Sequence, residues 1–277
     1  MNLTDPKQLA DLLQSHGFHT IKSLGQNFLI CPKTVKEIVE NANIKKGDTV
    51  VEIGPGPGVI TEELLKTEAK KIIALELDSK IIPVLKKVTN NDKKLEIINI
   101  SALKFIPQEK DYLLVANIPY FLTSPIMRHY LGNVNPPKRV VFLIQKEVAE
   151  KICAKEDSQS ILSLEVGIYG KPSIINIVSK DKFFPAPKVN SAILKIEAFS
   201  KCLIPENLLE IFWKTVKTAF LQRRKKLSNS LGKMRVNEDK TYGDVLKEVN
   251  IDPDRRPQTL SIQEWLKITR CLNSYKK

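Results

Sequence analysis

Thr49-Val50-Val51-Glu52-Ile53-Gly54-Pro55-Gly56-Pro57-Gly58 is the stretch that decides the fold of this chain. Its first five residues read as a buried β-strand. Three alternate glycines then close it in a tight turn, and a helix follows near 59–67. Working outward, Lys71-Ile72-Ile73-Ala74-Leu75-Glu76-Leu77 is a second strand, with a helix over about 79–89. Further strands are expected at 95–100, 112–118 and 139–145, and helices near 123–131 and 146–153. Continuous Val/Ile/Leu runs separated by helices indicate a parallel sheet covered on both faces, an α/β doubly wound fold. The segments 171–178 and 189–196 read as two more strands, an antiparallel pair closing the sheet. From Pro205 the pattern turns helical, with breaks near 234–240 and at Asp252-Pro253. The expected division is therefore 1–200, the sheet domain with an N-terminal extension, and 201–277, a small helical domain.

Charge narrows the partner. The 277 residues carry a net charge of +13 with pI near 9.4, which points to a polyanion, nucleic acid rather than a membrane surface. Residues 201–277 hold 17 Lys/Arg against 9 Asp/Glu, a net +8, so this tail is the candidate nucleic-acid-facing element. No apolar run approaches the roughly 18–20 residues that span a bilayer. The segment from Met1 to Lys7 lacks the layout of a signal or transit peptide, so a cytoplasmic protein is expected. Cys31, Cys153, Cys202 and Cys271 are widely spaced, and His16, His19 and His129 are few, so neither a disulfide frame nor a metal site is expected.

The glycine turn lies at the first strand–helix junction, where open α/β sheets bind ligands. It departs from the dinucleotide fingerprint G-x-G-x-x-G, because Val59 stands where the third glycine belongs. Pro55 and Pro57 also remove two backbone N–H groups, and a pyrophosphate cradle depends on such donors. A donor-poor loop suits a cofactor without phosphates, such as S-adenosylmethionine. Glu76, at the end of the second strand, is placed to accept ribose hydroxyls, although NAD would want an acid there too.

Asn117-Ile118-Pro119-Tyr120 ends the strand expected at 112–118. Asn117 offers a neutral carbonyl acceptor, and Pro119 biases Ile118 towards extended backbone, which aims its carbonyl. Two acceptors so placed take both protons of one exocyclic NH2, while the Tyr120 ring covers the face of the base. The plainer reading is a strand end, an X-Pro turn and a core tyrosine. Phe183 by itself reads first as a core aromatic before a proline turn, and Gln222-Arg223-Arg224-Lys225-Lys226 can also be read as a solvated helix end.

Leu24-Gly25-Gln26-Asn27-Phe28-Leu29, Glu52 to Gly58, Asn117 to Tyr120 and Phe183 to Ala192 occur in this order, followed by Ala219 to Lys226, Arg256-Pro257 and Leu260-Ser261-Ile262. On these motifs the chain closely resembles the KsgA/RsmA family of ribosomal RNA adenine N6-dimethyltransferases, over about residues 19–270. The resemblance implies a Rossmann-like class I S-adenosylmethionine-dependent methyltransferase sheet with a C-terminal helical domain. It implies that Asn27, Leu29, Gly54, Gly56, Glu76 and Asn117 line the cofactor site. Asn117 and Pro119 then belong to the catalytic motif, and Tyr120 and Phe183 sandwich an adenine taken out of its stack. Arg223, Arg224, Lys225 and Lys226 would contact RNA. The implied substrate is two adjacent adenosines in a hairpin near the 3′ end of 16S rRNA in the small ribosomal subunit, and a monomer is assumed. Where the family usually has Asp to accept from the cofactor's adenine amine, this chain has Ser101; a neutral hydroxyl makes the weaker bond. Two other readings stand beside this one: a large-subunit rRNA adenine N6-methyltransferase conferring macrolide resistance, and a non-catalytic small-subunit assembly factor.

Overall fold

The structure, a computed structural model, describes residues 2–18, 26–232 and 234–275; His19, Leu24 and Gly25 lie outside the described residues. Nine strands are described: β1 (Phe28–Leu29), β2 (Thr49–Ile53), β3 (Lys71–Glu76), β4 (Leu95–Asn99), β5 (Leu113–Asn117), β6 (Arg139–Gln145), β7 (Gly170–Val178), β8 (Phe183–Phe184) and β9 (Ser191–Ala198). Seven form one sheet in the order β4-β3-β2-β5-β6-β9-β7, and β1 pairs with β8 in a separate antiparallel ribbon. The strands β2 to β6 are parallel, and β9 runs antiparallel to β6 from Arg139↔Glu197 to Gln145↔Ser191. Chain order reverses at β2, which has β3 on one side and β5 on the other, so the switch point of the sheet lies where the glycine turn begins.

The parallel strands read as continuous apolar runs because both of their faces are covered. Val50, Val51, Ile72, Ala74 and the whole of Leu113–Ala116 have no more than 1 % of their surface exposed. Helices Pro32–Ala42, Val59–Leu65, Ile82–Val88 and Thr123–Leu131 alternate with these strands. The expected sheet elements agree with the observed ones within a few residues. The N-terminal helix Pro6–Ser15, started by the Asp5 side chain accepting from Lys7 and Gln8 N–H, and the helix Pro32–Ala42 were not anticipated.

The chain forms two compact units, Met1–Ala149 with Lys171–Ala198, and Glu150–Gly170 with Phe199–Lys277. The second takes in a segment well before residue 200, because Leu164 and Ile168 pack in the helical core with Phe212, Val216, Trp265 and Ile268. Its helices carry strong start signals: Ser261 with Glu264 and Thr241 with Asp244 form reciprocal capping boxes. Among the described residues, no helix is long and apolar enough to cross a membrane. No group of three or more His, Cys, Asp or Glu among them is arranged to hold a metal ion.

Candidate active site

A cavity opens at the carboxyl ends of the parallel strands. It gathers Gly54 and Gly56 from the turn after β2, Glu76 at the end of β3, Ser101 just beyond β4, and Asn117, Pro119 and Tyr120 at the end of β5. Asn27 joins them from the N-terminal segment, with Gln26 and Phe28.

The turn is held by its own backbone. Gly54, Gly56 and Gly58 all have positive φ, which glycine adopts without strain. A Cβ on Gly56 would lie 3.0 Å from the Phe28 ring, and one on Gly58 would meet the Leu85 side chain at 2.9 Å. The Gly54 N–H donates to the Leu75 carbonyl at 2.9 Å, the Gly58 N–H to the Pro55 carbonyl at 3.0 Å, and the Gly56 N–H to Glu76 Oε2 at 3.1 Å. With Pro55 and Pro57 lacking an N–H, the turn keeps no glycine donor for a phosphate.

The electrostatics point the same way. Although the protein is strongly basic, no Lys, Arg or His lines this cavity among the described residues, and its charged members are Glu76 and Asp78. Glu76 is buried. Its Oε1 accepts from the Asp78 N–H at 2.9 Å, and burial raises its carboxyl against the pull of the Asp78 and Gly56 N–H groups. Behind the turn Glu52 is 1 % exposed and accepts from the Thr61 hydroxyl at 2.7 Å; burial pushes it up to about 8, with the Glu76 charge adding to the rise. A cavity whose described lining has two carboxylates and no cation, beside a turn whose glycine N–H groups are all engaged, fits a cationic nucleoside without phosphates, and S-adenosylmethionine is such a molecule.

Asn117 has its amide oriented by a partner 90 residues away: Nδ2 donates to the Asn27 carbonyl at 2.9 Å. Oδ1 is therefore the free end, and no described group donates to it. Ile118 and Pro119 line the same wall, and Pro119 is extended (φ −53°, ψ 127°). The Tyr120 hydroxyl lies 2.9 Å from Ser191 Oγ, which is fully buried on β9, and burial raises the phenol while this bond opposes the rise. That bond fixes the ring plane against the cavity.

Two predicted residues are placed elsewhere. Leu29 and Phe183 face each other in the β1/β8 ribbon, 2 % and 3 % exposed, within the hydrophobic core and outside the cavity wall. Phe28, the neighbour of Leu29, is the residue whose ring reaches the cavity; alternation along a strand sends adjacent side chains to opposite faces. Gln26, Asp78, Leu77, Leu103 and Phe121 also line the cavity without having been singled out. The Gln26 amide donates to Asp78 Oδ2 at 3.3 Å, a contact between segments far apart in the chain that no local pattern announces.

In the helical unit, Arg223, Arg224, Lys225 and Lys226 are exposed in the turn after the helix Leu209–Phe220. Arg223, Arg224 and Lys225 line an open concavity that also includes Arg256 and Gln258, with Arg223 Nε donating to Gln258 Oε1 at 3.1 Å. Lys226 is not in that lining and pairs with Asp254 at 2.8 Å.

Residues 17–268 match the model of the family described as ribosomal RNA adenine dimethylase. A protein named ribosomal RNA small subunit methyltransferase A from Dehalococcoides mccartyi (strain ATCC BAA-2100) is 38 % identical over 267 residues, covering 94 % of this chain and 91 % of that one. The protein of the same name from Clostridioides difficile (strain 630) is 37 % identical over 274 residues, covering 95 % and 94 %. Among solved structures, a dimethyladenosine transferase from Plasmodium falciparum superposes with a TM-score of 0.78 at 28 % identity, covering 90 % of this chain and 98 % of that one.

Proposed function

Because the chain belongs to the ribosomal RNA adenine dimethylase family, we propose that it N6,N6-dimethylates two adjacent adenosines in the hairpin near the 3′ end of 16S rRNA in the small ribosomal subunit. It is an S-adenosylmethionine-dependent methyltransferase. The observation that carries the residue assignment is the Asn117 amide, tied through Nδ2 to the Asn27 carbonyl so that its oxygen is presented to the cavity.

S-adenosylmethionine, when bound, supplies an electrophilic methyl group. The difficulty lies with the adenine N6, whose lone pair is delocalised into the ring. Asn117 Oδ1 and the Ile118 carbonyl accept the two amine protons, favour a pyramidal nitrogen and turn its lone pair out of the ring plane. This is orientation together with stabilisation of a nitrogen that becomes positive. No general base of matched pKa is needed beforehand, in keeping with a neutral amide in a cavity wall without histidine among the described residues. Tyr120, held by Ser191, covers one face of the base. After one addition and release of one N6 proton to solvent, the amine keeps one N–H for Asn117 to grip, so the same residue serves the second. Glu76, Ser101, Gly54, Gly56 and Asn27 hold the cofactor, and Leu29 and Phe183 support the wall from the core. Arg223, Arg224 and Lys225 bind RNA phosphates, with Lys226 alongside. The enzyme acts as a monomer in the cytoplasm, without a metal.

The test is to incubate the protein with labelled cofactor and small subunits lacking the modification, and separately with large-subunit RNA, then map the product. Label in two neighbouring 16S adenosines is expected. Label confined to large-subunit RNA would overturn the substrate, and no label in either would make the chain an assembly factor.

A further inference from the structure

Phe121 follows Tyr120 in the short 3-10 turn Tyr120–Leu122 and lines the cavity wall, yet 60 % of its surface is exposed. Its backbone is not loose. The Leu122 N–H donates to the Pro119 carbonyl at 2.9 Å, the Thr123 hydroxyl donates to the Tyr120 carbonyl at 3.1 Å, and Tyr120 itself is held to Ser191. A braced turn thus presents a bare aromatic ring to solvent at the mouth of the site. Among the described residues no other aromatic ring packs against it. Leu77 and Leu103, the other two strongly exposed apolar residues of the cavity, adjoin Glu76 and lie two residues beyond Ser101, so they enclose the cofactor end. Phe121 adjoins the residues that grip the target amine.

Removing a base from its stack leaves the neighbouring base with one bare face, and that lost stacking is part of the cost of extrusion. An aromatic side chain beside the pocket can replace the missing partner without reading sequence, since every base has a π-face. Resting on the proposed reading of the site, we infer that Phe121 is a stacking platform for the RNA nucleobase next to the extruded adenosine. It is a substrate-binding residue that offsets the cost of extrusion, distinct from Tyr120, which covers the target base itself.

The test uses the full chain, small ribosomal subunits lacking the modification, and three variants. Phe121→Ala is expected to raise KM for the particles by about 5- to 150-fold, the range of a lost base–aromatic stack, with kcat nearly unchanged. Phe121→Tyr should restore KM, whereas Phe121→Leu, apolar but without a π-face, should not. Calorimetric titration with S-adenosylmethionine should give the same Kd for all four proteins. Full rescue by Leu, or an unchanged KM in the Ala variant, would overturn the inference. A cofactor Kd weakened in parallel with KM would assign the ring to the cofactor's adenine and overturn it as well. A wild-type protein inactive on these particles would instead sink the proposed function, and this inference with it.

Discussion

Replacing Glu52 by Gln should make the stability of the sheet unit respond differently to pH. Glu52 is almost wholly buried, it accepts a hydrogen bond from the Thr61 hydroxyl, and the charge that acts on it is the like-charged Glu76. Burial first, and Glu76 in addition, lift its carboxyl from an ordinary 4.5 to about 8 in the folded protein. Between those values the folded chain holds a proton that the unfolded chain has released. Stability is therefore fully present below about 4.5 and falls as pH rises, at about 1.4 kcal/mol per pH unit, until the group ionises near 8. The glutamine variant cannot ionise at this position and lacks the slope. From about pH 5.5 to 7.5 the wild type should lose about 3 kcal/mol relative to Glu52→Gln. Both tryptophans, Trp213 and Trp265, belong to the helical unit. The assay is accordingly urea unfolding followed by far-ultraviolet circular dichroism, with the two proteins run side by side. Parallel stability curves over that range would show that Glu52 titrates as an ordinary carboxyl, and the account of a dry, doubly acidic floor beneath the turn would be wrong.

Three further outcomes follow from the site. Asn117→Ala should lower the single-turnover methylation rate on the order of a hundredfold while leaving RNA affinity within about twofold, and equal losses in both would remove its role as the amine clamp. Ser101→Asp should tighten S-adenosylmethionine binding about fivefold by calorimetry, because a carboxylate accepts the stronger hydrogen bond; an unchanged or weaker Kd would refute the assignment of this position. Replacing Arg223 and Arg224 together by Ala should flatten the dependence of log K on log salt for RNA binding by about 1.5 to 2, through the loss of two phosphate contacts. A uniform drop in affinity with the slope retained would place those contacts elsewhere.

Much of the sheet was legible because strand and helix signals are local. The five residues Thr49–Ile53 and the seven of Arg139–Gln145 were bounded correctly from apolar runs and turn residues alone. The boundary between the units was not, since Leu164 and Ile168 look like any apolar helix residues and choose their core only by packing. The two-residue strands β1 and β8 are too short to carry a period, and each exists only because the other is there.

The sequence by itself determined the kind of site. Alternate glycines, interleaved prolines without N–H groups, a strand-end Asn before Ile-Pro-Tyr and a basic tail are properties of residues close together in the chain. They already disfavour a phosphate cradle and point to a nucleic acid. Only the tertiary structure decided which atoms face the cavity. The Asn117 amide is oriented by Asn27, 90 residues away, which takes its Nδ2 end, and the Tyr120 hydroxyl is held by Ser191, 71 residues away. Phe28 rather than Leu29 reaches the cavity, and Phe183 lies in the core, because pairing in the β1/β8 ribbon settles which side chains turn inward. The physical reason is range: backbone conformation answers to near neighbours, whereas the orientation of a polar side chain answers to whichever partner the fold brings within about 3 Å.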